Sequence, residues 1–110
     1  MKYTVHLAER ARRDIEDAAD YIEYSLKNPQ AANSLLDEIE SVLSGLEEMP
    51  ELYSPVRDEI LASWGIRFIR IKNYLAFFTV SQAEASVQII RFLYGKSCWE
   101  AILRRDISGQ

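Results

Sequence analysis

Three residues in the second half of the chain, Arg70, Lys72 and Tyr94, carry side chains that could act on a phosphodiester. Cleavage of RNA through its 2′-hydroxyl needs stabilisation of a charged phosphorane and protonation of the leaving oxygen. Fixed cations serve the first task, and a tyrosine can stack on a base or transfer a proton. The same residues are also typical of a protein-binding surface with two solvated cations and an amphipathic tyrosine. On residue types alone we favour this second interpretation.

The sequence lacks the residue motifs that other common catalytic and binding chemistries require. The sequence has no phosphate-binding loop, no dinucleotide glycine fingerprint, no zinc-ligand spacing and no nucleophile motif. Cys98 is the single cysteine, and no histidine accompanies it, so it is better explained as a small packed residue than as a nucleophile. We therefore expect no metal and no cofactor.

Three runs of β-branched and aromatic residues position the candidate residues. They span 66–72, 74–80 and 87–94, each a normal strand length. Asn73 suits the first reversal because it tolerates a left-handed backbone, and the polar stretch 81–86 suits the second. These short connections predict an antiparallel meander.

A trial register, with Ile71 opposite Tyr74 and Val80 opposite Val87, sorts the side chains onto two faces. The more aliphatic face is expected to pack on helices. The other face mixes aromatic and basic side chains, and such a face usually binds a partner. The expected partner-binding residues on or beside this open face are Phe68, Phe77, Phe92, Lys96 and Trp99.

Arg91 falls among apolar neighbours on the helix-facing side of that register. A buried guanidinium needs a carboxylate, which Asp14 or Asp17 of the first predicted helix could supply. We expect a structural role for Arg91 and Asp14.

The N-terminal half predicts a strand over 2–7 and two amphipathic helices over 8–27 and 29–48. Asn28 and Pro29 form a break between the helices, as a cap and a first-turn proline. The stretch 51–63 has no clear assignment, although Pro55 favours a loop. Ser97 could cap a short final helix over 97–105, and 106–110 is expected to fray as the tail of a single domain, 1–110.

The net charge of −4 conceals an asymmetry. Residues 1–56 hold 5 Lys/Arg against 12 Asp/Glu, a balance of −7, and residues 57–110 hold 8 against 5, a balance of +3. The overall balance argues against general nucleic-acid binding, while the sheet half is where an anionic partner would be met. The N-terminus has no apolar signal core and no run reaches membrane-spanning length, so we expect a cytoplasmic protein.

The order of these motifs resembles the RelE/ParE superfamily of toxins over nearly the whole chain. The resemblance is carried by RFIRIKNYLAFFTV, by VQIIRFLYGKSCWEAIL and by Ala11, Asp14, Tyr21, Ile22, Asn28, Pro29, Ala31 and Ala32. It implies an α+β fold of order β-α-α-β-β-β, in which a helix hairpin packs on a small, mainly antiparallel sheet followed by a short helix. It also implies a type II toxin–antitoxin module in which a cognate antitoxin neutralises the toxin.

Two activities divide that superfamily, and the details are closer to the ParE-like, plasmid-stabilisation branch. The ribonuclease branch carries an arginine where this chain has Leu75, and NYLAFF is similar to the ParE-like form. The usual ParE-like ending, H-G-R-R-D-W, is replaced by Tyr94-Gly95-Lys96-Ser97-Cys98-Trp99. The overall acidity also departs from the family.

The resemblance therefore implies a toxin that binds DNA gyrase and is not an enzyme. The alternatives are a ribosome-dependent mRNA endoribonuclease that uses Arg70, Lys72 and Tyr94, and a non-toxic relative that only binds antitoxin. A homodimer or a heterotetramer with the antitoxin fits each of them.

Overall fold

The computed structural model describes residues 2–108. The described residues form four strands and four α-helices in the order β-α-α-α-β-β-β-α, with one turn of π-helix after the first α-helix. The elements are β1 (Thr4–Leu7), α1 (Glu9–Asp20), the π turn (Tyr21–Ser25), α2 (Pro29–Gly45), α3 (Glu59–Ser63), β2 (Arg67–Ile71), β3 (Tyr74–Ser81), β4 (Ser86–Tyr94) and α4 (Trp99–Ser108).

The sheet has the order β1-β4-β3-β2, with β1 parallel to β4 and the other neighbours antiparallel. The expected α+β architecture with a final short helix is confirmed. Asn28 caps α2 as expected, since its side-chain oxygen accepts a hydrogen bond from the Ala31 N–H at 3.1 Å and Pro29 opens the helix. The predicted pairings of Ile71 with Tyr74 and of Val80 with Val87 are also present.

A bulge changes the faces of β4. Phe77 lies opposite Arg91 and Phe78 lies opposite Ile89, so Ile90 is an extra residue on β4. An extra residue reverses the alternation on the strand that carries it. Phe92 and Tyr94 consequently lie on the face that packs against α1 and α2, and the sequence-based assignment of these two residues to the opposite face is wrong. Arg91 is aligned with Phe77 on the α4 side, so its sequence-based assignment to the helix-facing side is also wrong.

The opposite face of the sheet is not exposed to solvent around Leu75 and Phe77 of β3. Leu75 and Phe77 pack there with Leu61 of α3 and Leu103 of α4, and all four side chains are buried. The stretch 59–63 is helical, and α4 folds back across the strands. Two short helices thus cover the surface that the sequence analysis leaves for a partner.

The chain departs from expectation at two other places near the site. Lys72 lies in the β2–β3 turn with φ of 55°, so it rather than Asn73 takes the left-handed conformation. Helix α4 begins at Trp99 and continues through Asp106 to Ser108, where a frayed tail is expected. The Ser97 hydroxyl is buried without a hydrogen-bond partner among residues 2–108, so it does not cap this helix.

Candidate functional site

A groove of about 750 Å³ opens where α1 and the π turn face the ends of β3 and β4. Its walls combine apolar side chains, tyrosines and two carboxylates. A smaller pocket continues from it towards Asn28 and Lys72, sharing Ile22 and Leu26 with the groove. The lining residues are Asp14, Asp17, Ala18, Tyr21, Ile22, Leu26, Asn73, Tyr74, Phe92, Leu93 and Tyr94.

Stacked aromatic rings form the floor. The rings of Tyr74 and Phe92 lie nearly parallel with centroids 4.9 Å apart, and Tyr94 meets Tyr74 edge-on at 5.8 Å. Tyr94 and Tyr21 remain 46% and 56% exposed, so both can contact a bound molecule. Burial, and then the nearby phenols of Tyr94 and Tyr21, raise the pKa of Tyr74, which keeps that hydroxyl protonated at neutral pH.

The two carboxylates in the wall differ in what they bind. Asp14 accepts hydrogen bonds from the Arg91 Nε at 2.7 Å, from the Arg91 Nη2 at 3.0 Å and from the Phe92 N–H at 3.0 Å. Asp17, one turn further along α1, is exposed and makes no salt bridge within residues 2–108. Asp17 is therefore the carboxylate that can receive a cation or a donor in the groove.

Arg91 joins two helices to the sheet. Its Nη1 donates to Asp106 of α4 at 2.7 Å while its other nitrogens hold Asp14 of α1. Burial alone would lower the pKa of Arg91, but the hydrogen bonds that it donates to Asp14 and Asp106 outweigh this effect, and the pKa is raised. The guanidinium is permanently charged, and it is paired as the sequence analysis expects.

The three candidate catalytic residues do not converge on one face. Arg70 is aligned with Leu75 and Leu93 on the α4 side of the sheet, whereas Tyr94 is aligned with Tyr74 on the α1 side. Lys72 is exposed in the turn, and its carbonyl lies 3.5 Å from the Arg70 Nη1.

The expected partner-binding residues also differ in how far they are exposed. Phe77 and Phe92 are buried in the two cores, and Phe92 also lines the floor of the groove. Trp99 packs against Phe77 with ring centroids 5.1 Å apart, and Phe68 is half-buried in the same cluster. Only Lys96 is exposed.

Sequence reasoning missed the groove itself. The sequence analysis names Tyr21 and Ile22 only among the residues that carry the family resemblance, and it does not name Leu26. The signal that could have found it is the Y-I-E-Y run at the end of the first helix, where Tyr21, Tyr24 and Leu26 remain exposed. A solvated helix end does not need so many large apolar side chains.

Within residues 2–108, no cluster of three metal-ligating side chains is present. No helix in that range is long and apolar enough to cross a membrane.

Comparison with known proteins places these features in context. The sequence model of the family described as "ParE toxin of type II toxin-antitoxin system, parDE" matches residues 5–99. No curated protein matches the sequence.

Three solved structures share the fold. The chromosomal ParDE toxin–antitoxin system of P. aeruginosa aligns with a TM-score of 0.68 at 18% identity, covering 84% of this chain and 96% of that one. The toxin–antitoxin complex RelBE2 of Mycobacterium tuberculosis aligns at 0.59 and 21% identity, covering 86% and 99%. A mutant of the E. coli toxin RelE in the free state aligns at 0.58 and 18% identity, covering 94% and 98%.

Proposed function

The chain belongs to the ParE toxin family of type II toxin–antitoxin systems, and from this premise we propose that it arrests growth in the cytoplasm by binding DNA gyrase. The observation that carries the proposal is the separation of Arg70 and Tyr94 onto opposite faces of the sheet. A nuclease needs its phosphate-binding cation and its proton donor within reach of one phosphodiester. A toxin that acts by binding needs no such constellation.

Leu75 supports the same proposal. The ribonuclease branch of the superfamily has an arginine at this position, directly after the aromatic residue that opens the strand. Here the Leu75 side chain is buried against Phe77 and Leu103. An arginine could not occupy that core without a buried partner, so this part of the fold is built for packing rather than for phosphate contact.

We propose that a cognate antitoxin neutralises the toxin by occupying the groove between α1 and β4. The groove combines exposed aromatic surface with an unpaired carboxylate, which are the features of a protein-binding site. The P. aeruginosa and M. tuberculosis structures are themselves described as a toxin–antitoxin system and a toxin–antitoxin complex.

One observation favours the alternative, a RelE-like endoribonuclease. Arg70, Lys72 and Lys96 are exposed at the same end of the sheet, and the Arg70 Nη1 lies 4.0 Å from where a Cβ on Gly95 would be. These cations could follow an RNA backbone even with Tyr94 on the other face.

The direct test is DNA supercoiling by purified gyrase from a host close to the source. The proposal expects that the protein inhibits supercoiling and that the protein encoded by the adjoining reading frame relieves the inhibition. In a parallel assay, the same protein is incubated with a ribosome that is translating an mRNA, and cleavage of the mRNA is measured. Cleavage of the mRNA with unimpaired supercoiling would replace the proposal with the nuclease alternative, and a lack of both effects would indicate a non-toxic relative.

A further inference from the structure

A second cavity, of about 600 Å³, lies between α1, α4 and the bulge of β4. It shares no lining residue with the groove described above. Its volume falls in the range of small-ligand sites. The lining residues are Arg10, Ile90, Arg91, Leu103, Arg105, Asp106 and Ile107.

The bulge explains why β4 contributes two adjacent side chains to this cavity. Regular alternation would send Ile90 and Arg91 to opposite faces of the sheet. Because Ile90 is the extra residue, both side chains line the cavity instead. Ile90 is half-buried on its wall, while Arg91 and Leu103 are buried and form its floor.

Two arginines at this cavity have no partner in the fold. Of the nine arginines in the chain, six form an ion pair or a hydrogen bond within residues 2–108, and Arg10, Arg57 and Arg105 do not. Two of these three line the cavity, Arg10 from α1 and Arg105 from α4. Both are exposed, so their guanidinium groups can bind a molecule that enters the cavity.

The charges around the cavity favour an anion. Arg91 is already neutralised, because Asp14 accepts a hydrogen bond from its Nε and Asp106 accepts one from its Nη1, each at 2.7 Å. These three groups carry one excess negative charge, and Arg10 and Arg105 add two positive charges. The five side chains are therefore positive by one charge in a chain whose net charge is −4. A guanidinium group binds carboxylate and phosphate groups through paired hydrogen bonds.

The apolar part of the lining indicates what the anion is attached to. It is aliphatic, formed by Ile90, Leu103 and Ile107, and no aromatic ring of the described residues lines this cavity. The groove beside α1, by contrast, has a floor of stacked aromatic rings. A nucleobase binds best on an aromatic ring. The cavity therefore suits an aliphatic body better than a nucleobase.

We propose that this cavity is a binding site for a small amphipathic anion, whose carboxylate or phosphate group contacts Arg10 and Arg105. Its short aliphatic body would lie on Ile90, Leu103 and Ile107. Because one arginine belongs to α1 and the other to α4, the anion would connect the two helices. The site goes beyond the proposed function and does not depend on the target of the toxin.

A nuclear magnetic resonance titration of the full chain with 4-methylpentanoate tests the site. Acetate carries only the carboxylate of this probe, and 4-methylpentan-1-ol carries only its aliphatic body. We expect 4-methylpentanoate to shift the amide resonances of Ile90 and Ile107 and to bind about fivefold more tightly than acetate or the alcohol. Equal binding of either control, or no shift with 4-methylpentanoate, would overturn the proposal.

The two possible head groups are compared on the same aliphatic body. 4-Methylpentyl phosphate is titrated beside 4-methylpentanoate, with the same amide resonances as the readout. Since a guanidinium group binds both kinds of head group, we expect both compounds to bind, and the tighter one identifies the class of ligand. Binding of neither compound would overturn the proposal.

Arginine variants test the charge contacts. Arg10→Gln and Arg105→Gln should each weaken the binding of 4-methylpentanoate about threefold, and the double variant about tenfold. Arg57→Gln is the matched control, because Arg57 is also exposed and unpaired within residues 2–108 but does not line the cavity. An equal loss in the control would indicate general charge attraction and overturn the proposal. Inhibition of supercoiling is measured separately, so failure of this site would leave the proposed function intact.

Discussion

Arg91 and Asp14, 77 residues apart in sequence, form a paired contact in which two guanidinium nitrogens meet the two carboxylate oxygens at 2.7 and 3.0 Å. The same carboxylate accepts the Phe92 N–H at the place where β1 no longer covers β4. Asp106 accepts a hydrogen bond from the remaining guanidinium nitrogen, Nη1. Arg91 thus fixes α1 and α4 to the sheet, and Asp14 also satisfies a backbone N–H of β4.

We predict that Asp14→Asn lowers the free energy of unfolding by about 3 kcal/mol, because it leaves the buried Arg91 with only the partly exposed Asp106 as a counter-ion. Urea denaturation followed by circular dichroism measures this difference. Asp17→Asn is the matched control, since Asp17 is exposed and unpaired in the described range, and it should change stability by less than about 0.5 kcal/mol. Equal effects of the two variants would mean that the Arg91 pair is not structural.

Phe77→Ala should lower the free energy of unfolding by about 3–5 kcal/mol, because the ring is fully buried against Trp99 and Leu103. The antitoxin affinity of the molecules that remain folded should not change, since the ring has no exposed surface for a partner to contact. Thermal unfolding and a titration well below the melting temperature measure the two quantities. A loss of affinity without a loss of stability would restore Phe77 to the partner-binding surface.

The sequence analysis succeeded where local rules decide the structure. The alternation around Ile71 and Tyr74 fixes the β2–β3 register, and a buried guanidinium at Arg91 requires a carboxylate such as Asp14. It failed at Ile90, because an extra β-branched residue in a strand leaves no mark in composition or alternation. That single residue moves Phe92 and Tyr94 to the other face and separates Tyr94 from Arg70.

The sequence also could not predict that α4 covers the second face of the sheet. A ten-residue helix with one fully buried leucine, Leu103, could lie on any apolar surface of the protein or of a partner. Contacts such as those of Trp99 with Phe77 and of Asp106 with Arg91 place it on the sheet. The groove is lined in part by the π turn after α1, which begins at Tyr21 and has no simple sequence signature.

Lys72→Gly should raise the free energy of unfolding by about 0.5–1 kcal/mol. The left-handed backbone at Lys72 costs a residue with a Cβ about 1–2 kcal/mol, which exceeds the entropy that glycine loses on folding. Asn73→Gly, at the neighbouring turn residue without a positive φ, should instead lower stability. Chemical denaturation of the two variants side by side tests the prediction, and the opposite order would place the strain at Asn73.

Low pH should reduce the free energy of unfolding in part because Asp58 becomes protonated. The Leu61 N–H and the Arg104 guanidinium hold the pKa of Asp58 below its usual range, against the opposing effect of burial. Because the folded-state pKa is lowered, this stabilisation is present above the unfolded pKa of about 3.9 and is lost as the pH falls through the folded value. Asp58→Asn should flatten the dependence of stability on pH below about 4. Arg104→Gln should flatten this pH dependence less than Asp58→Asn does, because the Leu61 N–H lowers the pKa of Asp58 more than Arg104 does. A larger effect of Arg104→Gln would mean that Arg104 is the main cause of the lowered pKa.

Tyr94→Phe should leave growth arrest intact, because a toxin that acts by binding gyrase does not use the tyrosine hydroxyl for proton transfer. Plating efficiency after induction, at matched protein levels, measures the effect. Arg70→Gln is the companion variant on the other face of the sheet. Loss of arrest in both variants would identify a nuclease whose two groups act on one RNA despite their separation in the free protein.

The central claim, that the target is gyrase, is tested most directly by following the incorporation of labelled thymidine and labelled methionine after tightly controlled induction. The host should be close to the source, so that the target is the natural one. We predict that thymidine incorporation falls first and that methionine incorporation follows only later. An earlier fall in methionine incorporation would contradict the account and identify the translating ribosome as the target.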